Sequence, residues 1–374
     1  MVFAGSPPRK SIALLRENNR QLYRYAVLPS PKTPRWMVPI GDAGASFAST
    51  QIYFPHKWAP KTLKALLAGA IKIGCGSWLR KILVASKSVP LLEKMVRDVT
   101  GERHIRFALS LGRHPAVRKL TVQAMRPDGN ILGYIKLPLT DVANERVQNE
   151  AKILERLWKF PKLRPHIPRL LFAGEWNGRY ALFQSPLGGE VGPVSFRDLH
   201  KRFLATLREC HSVEKSGQVL VESIGTKWRL AASELSSECR DIGQEALRRS
   251  GAILQGKGIL YNVAHGDFAP WNTRVDHNEL RLFDWESATW EGPSSWDIFH
   301  FRVQTTSAFN ERETYLPFDL PPTEQASFML YLLSCICQYL VEKNPKEVNL
   351  RQEYLRRFLN GDEMANASWG SVTL

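Results

Sequence analysis

From about residue 104 the pattern of apolar and polar positions becomes one of short strands alternating with turn signals. His104–Leu111, Arg118–Met125 and Ile131–Leu137 are the three predicted strands. Pro127-Asp128-Gly129-Asn130 turns the chain between the last two, with Pro fixing φ and Gly free to adopt φ > 0. Thr140 can cap a helix on which Val147, Ala151, Leu154 and Trp158 recur at helical spacing. Two more strands follow, Leu170–Glu175 and Arg179–Gln184, with Asn177-Gly178 as their turn.

Beyond Gly188-Gly189 the pattern is mainly helical. Ser195-x-x-Asp198 starts a helix whose one face is Leu199, Phe203, Leu207 and Cys210. A longer helix is expected from Trp228 to Leu254, and others over Trp296–Gln304 and Glu324–Val341, before a charged C-terminal stretch. Two short apolar strands, Ile259–Ala264 and Leu280–Phe283, interrupt them. Residues 1–60 are rich in Pro and aromatics with weak periodicity. A helix is expected over Pro60 to Ala85, and a short one over Pro90–Val99, ending before Thr100-Gly101. The expected division is therefore 1–100 as an N-terminal extension, 101–187 as a five-stranded antiparallel lobe, and 188–374 as a helical lobe, an α+β protein.

Composition is ordinary for a globular chain of 374 residues, with 44% apolar and 23% charged positions. The five cysteines, Cys75, Cys210, Cys239, Cys335 and Cys337, form no C-x-x-C pair and read as reduced thiols, which places the protein in the cytoplasm. The first residues do not resemble a signal peptide, and Lys64 and Lys72 interrupt the most apolar run, Leu63–Leu79. The net charge of +15 is unevenly placed. Residues 1–100 hold 16 basic and 4 acidic side chains, whereas the rest hold 35 and 32. Residues 1–100 are thus expected to meet an anionic membrane surface, through Lys61, Lys64, Lys72, Arg80 and Lys81 of the expected helix, giving a peripheral association. Charge without a recognition motif gives no reason to expect specific nucleic-acid binding.

The candidate chemistry lies in His265-Gly266-Asp267-Phe268-Ala269-Pro270-Trp271-Asn272 and Leu282-Phe283-Asp284-Trp285-Glu286. Phosphoryl transfer requires a carboxylate to orient an acceptor hydroxyl, oxygen ligands for magnesium and a cation for the phosphates. Asp267 can supply the first, and Asn272, five residues on, with Asp284 at the end of an apolar strand, the second. The pair H-G-D-F-x-P-W-N and F-D-W-E resembles the motifs of the aminoglycoside phosphotransferase and choline kinase superfamily, and the resemblance spans roughly residues 105–340. It implies a bilobal protein-kinase-like fold and an ATP- and magnesium-dependent phosphotransferase acting on a hydroxyl of a small molecule. It further implies that Asp267 is the catalytic base, that Asn272 and Asp284 are metal ligands, and that His265 supports the loop. Lys136, on the face of the third strand shared with Leu132 and Tyr134, and Glu150, beside the inward stripe of the next helix, are by the same resemblance the pair that grips the nucleotide phosphates; Glu145 competes with Glu150.

The turn between the first two strands carries no G-x-G-x-x-G, so Ser110 and Gly112 are its candidates for covering the phosphates. The hinge Gln184-Ser185-Pro186-Leu187 is expected to offer Gln184 and Leu187 to the adenine ring. Glu286 is weighed as a further metal ligand, and Asp297 matches a family position that braces the catalytic loop. Trp271, Trp285, Trp290 and Trp296 are expected as aromatic core, and His300 as a packed helix histidine. The charge balance favours a neutral or anionic acceptor such as a sugar over a polycation. The alternative is a catalytically weak kinase-fold binding protein recruited to an anionic surface by residues 1–100.

Overall fold

A computed structural model describes residues 2–4, 21–30, 33–52, 62, 65, 68–69, 81–86, 88–112, 114–309 and 317–361. The chain divides into two compact units, one of residues 1–151 and 168–186, the other of residues 152–167 and 187–374.

The first unit is built on an antiparallel sheet. Its strands are β1 (Val2–Ala4), β2 (Gln21–Ser30), β3 (Thr33–Pro39), β4 (Lys81–Ser86), β5 (Arg106–Leu111), β6 (Lys119–Met125), β7 (Ile131–Pro138), β8 (Leu170–Trp176) and β9 (Arg179–Gln184). Their order among the described residues is β1-β4-β2-β3-β5-β6-β7-β9-β8. The five expected strands are β5 to β9, each within a few residues of its predicted limits. The hairpins turn where the sequence indicates. Asp128 accepts from the Asn130 backbone N–H at 2.9 Å, and Asn177 and Gly178 both have positive φ.

The sheet does not stop at residue 101. β3 pairs with β5, Trp36 opposite Ser110 and Met37 opposite Leu109, so four strands of the first hundred residues extend the expected five-stranded lobe. Among the described residues the helices of this unit include α1 (Ala43–Ala48), α2 (Ser88–Thr100) and the first part of α3 (Asp141–Leu157), and residues 62, 65 and 68–69 are also helical. α1 packs on the β6–β7 turn so closely that a Cβ on Gly44 would lie 2.3 Å from the Asp128 carbonyl oxygen. α2 buries Leu92, Met95 and Val96, at helical spacing, in a core with Tyr25, Val27, Met37, Phe107, Val122, Ile135 and Phe183. Described residues of the first hundred therefore share the core of this unit. Most of the helix expected over residues 60–85, including Lys61, Lys64, Lys72 and Arg80, lies outside the described residues, and residues 81–86 are strand β4. α3 begins as expected, with the Thr140 hydroxyl accepting from the Ala143 N–H at 3.2 Å.

The second unit is mainly helical, with α4 (Asp198–Cys210), α5 (Gly217–Ala231), α6 (Ser237–Leu254), α7 (Trp296–Phe309), α8 (Pro322–Val341) and α9 (Pro345–Asn360). Two three-stranded sheets accompany them. One joins β10 (Glu190–Val191), β13 (Thr273–Asp276) and β14 (Glu279–Leu282), the other β11 (Ser212–Ser216), β12 (Gly258–Ala264) and β15 (Thr289–Pro293). The helix expected over 228–254 is two helices. A short turn at Ala232–Glu234 ends the first, and the Ser236 hydroxyl accepts from the Cys239 N–H to start the second. α9 replaces the expected charged tail. Its apolar stripe of Val348, Tyr354, Leu355 and Phe358 is interspersed with charges that hide it in the sequence. Among the described residues, no helix is long and apolar enough to cross a membrane.

Candidate active site

In the first unit, strand β7 carries Lys136 between two paired strands, opposite Thr121 of β6 and Leu182 of β9. Directly opposed residues of antiparallel strands share a face. Lys136 is 4% exposed, and its Nζ donates to both carboxylate oxygens of Glu150, at 2.6 and 2.5 Å. Glu150 is fully buried, whereas Glu145 is exposed, which decides between the two candidates. Ser110 stands opposite Thr121, so it lies in the same row as Lys136, two strands or about 10 Å away. It is a ladder residue rather than part of the turn. Gly112 is at the turn, its N–H donating to the Lys119 carbonyl at 2.9 Å. Gln184 is buried with its Oε1 lacking a hydrogen-bond partner, and the Ser185 N–H is engaged by the Arg169 carbonyl at 2.9 Å. Leu187, half-buried, begins the second stretch of the second unit.

In the second unit, β12 delivers the chain into the loop at His265. Gly266 has φ +76, and a Cβ there would lie 2.3 Å from the Ser287 carbonyl oxygen, so only glycine fits. Both loop amides meet one carboxylate. Asp297, at the start of α7, accepts from the His265 N–H at 2.8 Å and the Gly266 N–H at 2.9 Å. His265 is fully buried. Its Nε2 donates to the Phe283 carbonyl at 3.1 Å, its Nδ1 accepts from the Asp267 N–H at 3.2 Å, and its ring stands edge-on to Trp285. Burial lowers its pKa despite the nearby carboxylates of Asp297 and Asp267, so the ring is neutral and serves as scaffold.

The Asp267 side chain is 36% exposed, and donors hold both its oxygens. Asn272 Nδ2 donates to Oδ2 at 2.8 Å and also to the Asp267 backbone carbonyl at 2.8 Å. His300 Nε2 donates to Oδ1 at 3.0 Å. Because the amide nitrogen of Asn272 is committed, its amide oxygen is the atom left for a ligand role. β13 and β14 form a tight hairpin through His277 and Asn278, both with positive φ, and this returns the chain to the loop. The Phe283 N–H then donates to the Asn272 carbonyl at 3.1 Å, so Asp284 follows directly on a contact with the loop. Asp284 has φ 69 and ψ 54, a left-handed conformation that costs about 1 kcal/mol for a non-glycine residue. Carboxylate oxygens of Asp284 and Glu286 lie within 4.8 Å of each other. An amide oxygen and two carboxylates are an oxygen-only donor set, which fits magnesium.

His300, expected as a packed helix histidine, is buried on α7 as expected but also reaches the Asp267 carboxylate. Asp297, His300 and Gln304 recur at three and four residues along α7, one polar stripe on a helix whose Ile298, Phe299, Phe301 and Val303 are buried in core. That spacing is the signal that identifies it. Trp285 is fully buried, while Trp290 is half-buried and stacks under the Arg156 guanidinium at 3.5 Å. Trp296 donates to the Ser327 hydroxyl at 3.2 Å.

No protein-family model matches the chain, and no curated protein sequence matches it. Solved structures do. Aminoglycoside phosphotransferase APH(4)-Ia superimposes with a TM-score of 0.51 at 14% identity, over 74% of this chain and 100% of its own. A thermostable mutant of that protein, in ternary complex with ADP and hygromycin B, gives 0.51 at 14% identity over 73% of this chain and 98% of its own. The chain therefore has the kinase-like fold of the aminoglycoside phosphotransferases.

Proposed function

We propose that the chain is a nucleotide- and magnesium-dependent phosphotransferase acting on a hydroxyl of a small molecule. The observation that carries this reading is the half-exposed Asp267 carboxylate, held on both oxygens and set on a loop that Asp297 fixes by its backbone. A carboxylate so held can orient an acceptor hydroxyl and take its proton as the oxygen–phosphorus bond forms. The bond to the leaving nucleoside diphosphate breaks with its electron pair remaining on that diphosphate. Asn272, Asp284 and Glu286 would hold magnesium, which when bound neutralises phosphate charge. Lys136, kept extended by Glu150, would hold the phosphates, and Ser110 and Gly112 would lie against them. Gln184 and Leu187 would flank the base.

The neighbour with the same fold binds ADP, which supports ATP as the donor. For the acceptor we favour a neutral or anionic sugar or metabolite, because the chain carries a net charge of +15, which repels polycations at long range. An anionic surface remains the proposed partner of the basic first hundred residues. The test is a screen of hydroxyl acceptors, sugars and polyols beside aminoglycosides, reading magnesium-dependent consumption of ATP. Robust turnover with aminoglycosides would overturn the acceptor assignment, and no turnover with any acceptor or with water would overturn the function.

A further inference from the structure

Of the three polar side chains on the inner stripe of α7, Asp297 is accounted for by the loop backbone, and Gln304 donates to the Tyr339 hydroxyl at 3.1 Å. His300, between them, is 6% exposed. The buried His265 of the loop turns both ring nitrogens to the backbone, to the Phe283 carbonyl and the Asp267 N–H. Both nitrogens of His300 instead face side chains. Nε2 is 3.0 Å from Asp267 Oδ1, and Nδ1 is 3.1 Å from the Tyr331 hydroxyl of α8. The groups facing the ring are Asp267 from the loop, Gln304 from its own helix, and Tyr331 and Cys335 from α8. Tyr339, and Arg351 with Glu347 of α9, lie behind them. Burial opposes a charge on the ring, but the hydrogen bond and charge of Asp267, with a hydrogen bond to Cys335, outweigh it and push its pKa up to about 9. Below that pH both ring nitrogens carry protons, one for the carboxylate and one for the tyrosine oxygen.

We infer that His300 is a positioning residue for phosphoryl transfer: its Nε2–H fixes Oδ1 of Asp267 while Asn272 fixes Oδ2, locking the plane in which the carboxylate meets the acceptor hydroxyl. This rests on the phosphotransferase reading. With one donor on each oxygen, each keeps a lone pair, and rotation about the Cβ–Cγ bond is suppressed. Without His300 the carboxylate is held by Asn272 from one side only. Tyr331 in turn fixes the ring, so the order runs from α8 through α7 to the loop.

The test uses the full chain with Mg-ATP and water as acceptor, so no substrate need be known. Nitrogen-edited NMR, with His300→Gln for assignment, should show the His300 Nε2 protonated at pH 7 and a ring titration above 6.5, moving down in Asp267→Asn. His300→Ala should lower kcat by about 10- to 100-fold with little change in the KM for ATP. His300→Gln, whose amide can still donate, should recover part of the loss. An unprotonated Nε2 in the wild-type protein overturns the inference whether or not the variants fold. So does a kcat for His300→Ala equal to that of an active wild type. Absent turnover in the wild type would overturn the functional reading and this inference with it.

Discussion

Lys136 and Glu150 offer a test in which stability and activity separate. Both are buried, at 4% and 0% exposure, and the ammonium reaches both carboxylate oxygens within 2.6 Å. Glu150→Ala leaves a lysine in the sheet interior with its main counter-charge gone. Breaking such a pair costs about 3–5 kcal/mol, because the remaining charge has lost its water without compensation. The unit concerned holds 151 and 19 residues in its two stretches, a size at which each kcal/mol lowers Tm by roughly 2–4 °C, so the loss should be about 6–20 °C. The double variant Lys136→Met with Glu150→Leu removes both charges together and should return to within about 1 kcal/mol of the wild type. It should nonetheless bind ATP poorly and turn nothing over, since the cation for the phosphates is gone. Urea titration followed by tryptophan fluorescence gives the stabilities, and calorimetric titration with Mg-ATP the affinities. A cost below about 1 kcal/mol for Glu150→Ala would refute the reasoning, as would a double variant no more stable than the single.

Asp267→Ala should lower turnover by about 10²- to 10⁴-fold while nucleotide affinity is kept, whereas Asn272→Ala and Asp284→Ala should weaken Mg-ATP binding itself; calorimetric titration separates the two effects. A chain begun at residue 101 should fail to fold, since it loses Tyr25, Val27, Met37, Leu92, Met95 and Val96 from one core, at about 1.5–3 kcal/mol each; a cooperative thermal transition in that fragment would count against the shared core. His200 of α4 is buried, and burial lowers its pKa to about 4 while its Nδ1 accepts from the Arg197 N–H. Its neutral form is favoured in the fold, so its contribution is present above pH 6.5 and is lost as pH falls toward 4; His200→Phe should flatten that acid limb in a plot of Tm against pH.

The sequence determined by itself whatever depends on residues close along the chain. Strands β5 to β9 were legible because alternation and turn chemistry are local, and Thr140 and Asn177-Gly178 mark their boundaries by their own conformational preferences. The loop from His265 to Asn272 was legible because Asp267 and Asn272 are five residues apart and bond each other directly. What needed the tertiary structure is what spans distance. That Trp36 stands opposite Ser110 is a matter of strand pairing across more than seventy residues, which no local pattern encodes, so the first hundred residues read as an appendage. The choice of Glu150 over Glu145 turned on which carboxylate the fold removes from water. α9 was hidden because its charges outnumber its apolar stripe, and burial against a neighbouring helix, not propensity, selects the stripe. His300 read as a core residue since Phe299 and Phe301 flank it in the sequence. Only the packing of α7 against the loop puts its Nε2 on Asp267, 33 residues earlier in the chain, and turns an ordinary buried ring into a neighbour of the base.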